Sequence, residues 1–148
     1  MALAPVLRAY GPGRVSRLPP RRVLDLIAPF QHLPARDERF DWTRIAEGAC
    51  DSWETPEARD EAFRRALDAS FPAQARLALV FHTAEYAVVL GMDAALALAR
   101  TILDACHDTL WVVALGGGAG LVEVSFSERE VCWGARLAMH ADATPATP

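Results

Sequence analysis

Between residues 76 and 137 the chain places one apolar strand-like run after another, and some of these runs are apolar on both faces. Segment 110–115 presents Leu110, Val112 and Ala114 on one side and Trp111, Val113 and Leu115 on the other. The runs 76–82 and 85–91, joined by a short turn and read as a hairpin, have the same character. A strand apolar on both faces has to be covered twice. Something must therefore lie above this sheet and something else below it, and that requirement constrains the chain more than any motif does.

The helix expected over 93–106 can cover one side, and the other side needs the N-terminal helical region or a partner chain. A further helix is expected upstream. Thr55-Pro56-Glu57 is a strong helix start: an N-cap hydroxyl, proline at the first helical position and an acid near the positive end of the helix dipole. The spacing predicts a helix over 57–70 with Ala58, Ala62, Phe63, Ala66 and Leu67 as its apolar stripe. Arg59, Asp60, Glu61, Arg64, Arg65 and Asp68 are assigned to the outer face. A second helix, capped by Asp93 and running over 93–106, carries Ala95, Leu96, Ala99, Ile102, Leu103 and Cys106 on one side. Two further strands are expected at 121–126 and 131–137. A four-residue loop over 127–130 sets Phe126 opposite Val131, Val124 opposite Trp133 and Val122 opposite Ala135, giving one dry face. Glu123, Ser125, Cys132, Gly134 and Arg136 fall on the other face, with Glu123 diagonal to Arg136.

The expected fold is thus a single α+β domain over 21–138: a mainly antiparallel five-stranded sheet in ββαβββ order over 76–137, packed with helices that include 57–70 and 93–106. Upstream, 21–28 reads as a short helical turn ended by Pro29, and Asp41 as the cap of a short helix over 42–48. Residues 1–20, with four prolines and two glycines, read as an arm or irregular edge, and 139–148 as a loose tail. The element order from 57 to 137 resembles that of profilin-like and roadblock-type interaction domains. The resemblance lies in element order alone, and implies a protein-binding role without assigning residues to it.

Charge is unevenly spread. Residues 1–36 hold six arginines and one acid, 37–70 hold ten acids and five arginines, and the remainder eight acids and four arginines. Lysine is absent, which excludes a Schiff-base, general-base or phosphate-cradling lysine and, with the wealth of Ala, Leu and Arg, suggests a GC-rich bacterial gene. The cysteines, Cys50, Cys106 and Cys132, are odd in number and show no CxxC spacing. Free thiols in a reducing, cytoplasmic setting are expected from that pattern. The start of the chain lacks the features of a signal peptide. No run reaches the roughly 18 uncharged apolar residues of a membrane helix.

Residues 116–120, a GGGAG run, precede a strand rather than a helix and lack Lys-Ser/Thr, so they read as a hairpin loop and not as a phosphate cradle. His32, His82, His107 and His140 fall in no zinc-binding spacing. His82 and Glu85 flank the first hairpin turn and are the one pairing that resembles a base with its orienting carboxylate. No elbow surrounds Ser125 or Ser127. Cys132 reads as an inert, partly buried thiol. The arginine-rich head has only Tyr10 interleaved with it, which is too few aromatics for a nucleic-acid platform. No catalytic residue, metal or cofactor is assigned.

What remains is the acidic middle with its aromatics. Asp37, Glu38, Asp41, Trp42, Glu47, Asp51, Trp53 and Glu54 are the expected partner-binding set, with aromatics as anchors and carboxylates steering a basic partner. The competing expectation turns those aromatics into the core. The leading reading is a non-enzymatic protein-binding domain. A small, mildly acidic, motif-free chain is similar in type to bacterial immunity proteins that neutralise basic toxins by covering them. The second reading is a homodimer or scaffold in which Trp111, Val113 and Leu115 form the oligomer face. The third is a small enzyme or ligand carrier using His82, Glu85, Glu123 and Cys132. Nucleic-acid and membrane partners are set aside.

Overall fold

The computed structural model describes residues 15–37, 39–81 and 87–138. Their architecture is α+β, and its centre is a seven-stranded sheet in which every paired neighbour is antiparallel. The strands of this sheet are β1 (Val15–Leu18), β4 (Ala49–Ser52), β5 (Arg76–Phe81), β6 (Ala87–Gly91), β7 (Leu110–Ala114), β8 (Leu121–Ser125) and β9 (Glu130–Gly134), in the spatial order β1-β6-β5-β7-β8-β9-β4. Two-residue strands β2 (Ala35–Arg36) and β3 (Arg39–Phe40) pair separately. The helices are α1 (Pro20–Ile27), α2 (Pro56–Ser70), α3 (Met92–Ala97) and α4 (Ala99–Asp104).

The five predicted strands form the middle of the sheet, and two short segments extend it at the edges. β1 comes from the proline-rich head and pairs with β6; β4 pairs with β9. Neither advertises itself, since Ala-Cys-Asp-Ser has little β-branched or aromatic content. The register of the last hairpin differs from the expected one by two residues: Val124 lies opposite Val131 and Val122 opposite Trp133, with Ser125 facing Glu130. Because the slip is even, every side chain stays on its expected face. It also sets Glu123 directly opposite Cys132 rather than near Arg136. Arg129, in the left-handed region at φ 53, turns the chain one residue earlier than anticipated.

One face of the sheet packs on helices. Leu77, Leu79, Leu90, Leu110, Val112, Val122, Val124 and Val131 share a core with Phe63, Ala66 and Leu67 of α2 and with Ile102 and Leu103 of α4. The Thr55 hydroxyl accepts from the Ala58 amide at 3.1 Å, as its position implies. Ala62, Phe63, Ala66 and Leu67 of α2 are buried as expected, and the stripe departs from expectation only near the start of the helix, where Ala58 is exposed and Arg59 and Asp60 are buried. The predicted 93–106 helix bends at Leu98, yet the Leu98 amide still bonds Ala94 O and the Ile102 amide bonds Leu98 O, so the i→i−4 pattern passes through the bend. Gly116 and Gly117 adopt φ of +85 and +90 in the β7–β8 loop, which confirms a turn. Gly120 serves packing instead: a Cβ there would strike the Ser70 carbonyl oxygen at the end of α2.

The opposite face is covered by the N-terminal part of the chain itself. Phe30, Phe40, Trp42 and Ile45 form one buried cluster with Ala78, Val80, Val89, Val113 and Leu121, flanked by Leu18, Val23, Leu26 and Ile27. The expected 42–48 helix is only a 3-10 turn, Trp42–Arg44, and the Asp41 carboxylate accepts from the Thr43 hydroxyl instead of capping the backbone. This cover corrects the proposed oligomer face. Val113 is buried by its own chain, while Trp111 and Leu115 are half-buried and pack against the same cluster. Leu24 is the one large apolar side chain exposed among the described residues.

Candidate functional site

Glu123, from the middle of β8, is completely buried on the face covered by the N-terminal segment. A lone carboxylate there would be prohibitively costly, so its surroundings have to supply donors. Four converge on it. The Arg39 Nε donates to Oε1 at 3.0 Å, the Trp42 indole to Oε1 at 2.9 Å, the Phe40 amide to Oε2 at 3.0 Å and the Trp111 indole to Oε2 at 2.7 Å. Three of these come from residues 39–42 and one from β7, so the carboxylate ties the irregular cover to the sheet. Phe40 also stacks edge-on against Trp42 and at a tilt against Trp111.

Arg39 leads from this hub to two neighbours. Its Nη2 lies 3.4 Å from Glu130 and 3.8 Å from the Cys132 sulfur. Cys132 is bonded to Cys50 across the β4–β9 pair. That disulfide overturns the expectation of three free thiols: only Cys106 is free. The spacing of 82 residues hides the pairing, which becomes visible only when β4 is seated beside β9. Cys106 is buried at the end of α4 and donates to Ile102 O; loss of hydration pushes its thiol up to about 12, a protonated, unreactive state.

On the outside of this assembly, a cleft of about 590 Å³ opens where three loops meet. Asp37 and Arg39 enter from the β2–β3 turn, His107, Asp108 and Thr109 from the segment before β7, and Ser127 and Glu128 from the β8–β9 loop. Asp37 sits at φ 58, a conformation that Asp tolerates better than most residues. The serines are engaged in the turn itself: Ser125 Oγ lies 3.3 Å from Ser127 Oγ and accepts from the Glu128 amide. The arrangement offers the carboxylates of Asp37, Asp108 and Glu128 to a bound group.

The expected partner-binding residues are separated. Trp42 (8% exposed) belongs to the core under the N-terminal cover, and Trp53 (9%) to the helix-side core, where it meets Phe126 at 5.7 Å. Neither is an available anchor, so the core alternative holds for both. Asp37, Glu47 and Glu54 are exposed; Asp41 is half-buried, and the Thr43 hydroxyl bond holds its carboxyl below the usual carboxylate range. Asp51 is paired with Arg65 at 2.5 Å. Glu38, His82 and Glu85 lie outside the described residues. Glu123 and Cys132, grouped in the enzyme reading, are indeed neighbours, but one is saturated with donors and the other is in a disulfide.

A second charged cluster joins α2 to α4. Asp60 accepts from both Arg59 and Arg100, and Arg59 also donates to Asp104 at 2.8 Å. The bond to Asp60 raises Arg100 further above its ordinary value. These groups satisfy one another, which is how Arg59 and Asp60 can be buried.

Comparison with known proteins gives no matching family model and no characterised protein of significant sequence similarity. No helix among the described residues is long and apolar enough to cross a membrane.

Proposed function

We propose that the chain is a non-enzymatic protein-binding domain that receives a basic partner, most concretely a bacterial immunity protein that neutralises a basic toxin by direct contact. The observation that carries this reading is the cleft at the strand ends. Asp37, Asp108 and Glu128 line it, none of them in an ion pair among the described residues, while Arg39, its one arginine, is engaged by Glu123 and Glu130. An arginine or lysine from a partner would find free acceptors there. Exposed Glu47 and Glu54 extend the acidic surface. With Trp42 and Trp53 in the core, recognition rests on charge more than on aromatic anchors, so binding should depend strongly on salt.

The test is association with a basic protein encoded beside this chain, measured by titration calorimetry at low and high ionic strength. Expected is a 1:1 complex weakened at least about tenfold by the combined Asp37→Asn, Asp108→Asn and Glu128→Gln substitutions. Binding that ignores both salt and these substitutions would refute the reading. A cytoplasmic home, as the cysteine count suggested, would require the Cys50–Cys132 pair to be reduced there.

A further inference from the structure

The β4–β9 edge carries three soft or anionic donors whose convergence is set by the backbone. Glu130 and Cys132 are two apart on β9 and therefore project to the same face, and Cys50 is the direct cross-strand partner of Cys132. One donor atom from each lies within 4.8 Å of the other two. We propose that, when the disulfide is reduced, Cys50, Cys132 and Glu130 form a site for one thiophilic divalent cation, Zn(II) by the chemistry of its donors.

Three observations favour this. First, little movement is needed: Cys50 is exposed on an edge strand and Glu130 is partly exposed, so both can turn toward a cation while Cys132 stays in the core. Second, the charge is right. Reduction and deprotonation would leave two thiolates beside Glu130 and Glu123 with Arg39 as the near cation, and a divalent ion supplies what that group lacks. Arg39 need not leave, because its Nε stays on Glu123 when Glu130 turns away. Third, solvent reaches two of the three donors, Cys50 being exposed and Glu130 partly so, and a water there can complete a tetrahedral set.

The chemistry balances simply. A dithiol reductant delivers two electrons and two protons to the disulfide and closes to its own disulfide; the cation then displaces both thiol protons into solvent. The β4 edge would be clamped to β9 in either state, by a covalent bond or by a metal.

Co(II) titration of the phosphine-reduced full chain tests the proposal. Expected is one equivalent bound, with a thiolate-to-cobalt charge-transfer band that Zn(II) abolishes. Cys50→Ser and Cys132→Ser should each lose the band, Glu130→Gln should weaken binding at least about tenfold, and Cys106→Ala should change nothing. The oxidised chain should bind no Co(II) with that band. Absence of the band in reduced protein would overturn the proposal, as would equal binding by the oxidised chain or an unaffected Glu130→Gln variant. Circular dichroism covers the remaining case: a reduced chain that unfolds and is not restored by Zn(II) also refutes it.

Discussion

The two faces of the sheet are covered by opposite means. On one, regular helices lay apolar stripes over Leu77, Leu110 and Val122, and their charged groups pair along the helix surface. On the other, the described residues of 19–45 form only one eight-residue helix, two 3-10 turns and a pair of two-residue strands. Helices satisfy their own backbone, so the first cover needs only complementary shape. The irregular cover must be fastened, and Glu123 fastens it with four bonds. Such a pin contributes less to net stability than to holding one arrangement, since burying its charge opposes much of what its bonds supply.

This contrast can be broken in two places. Phe63→Ala removes a fully buried ring from the helix-side core and should cost about 3–5 kcal/mol. Urea unfolding should remain a single transition, because that core joins all the central elements. Glu123→Gln should cost about 3 kcal/mol, leaving a buried guanidinium and two indoles poorly matched. Its effect should be regional: hydrogen exchange should accelerate first across residues 33–45, with β5 and β7 still protected. Uniform acceleration across both covers would show that the pin belongs to the whole fold.

A smaller effect sharpens the comparison on the helix side. Cys106 is raised from 9.0 to about 12 by burial. The unfolded chain therefore releases this proton first as pH rises, so stability is unaffected below about pH 9 and falls between 9 and 12. The slope should approach about 1.4 kcal/mol per pH unit. Cys106→Ala should flatten that limb, read as the wild-type-minus-variant difference in urea midpoints; a superimposable pH dependence would contradict it.

The helix cap at Thr55, the central strands and the glycine turn were legible because each is governed by neighbours in sequence. The site was less so. Glu123 stood out only as an acid on a mixed strand face, since its donors lie 12 to 84 residues away. Trp42 and Trp53 beside acids looked like anchors. A residue's neighbours along an irregular segment do not reveal which way it turns, and both rings turn inward.

Local pattern along the chain was enough to imply a central sheet, the dry faces of its strands and the need for two covers. Period-two alternation and helix-capping chemistry are local, and even a two-residue slip leaves faces unchanged. The folded arrangement was needed to show that the second cover is the chain's own N-terminal region. It alone brought Cys50 to Cys132 and put one carboxylate under four donors. Those are meetings between distant segments, and their geometry is set by how the whole chain closes on itself.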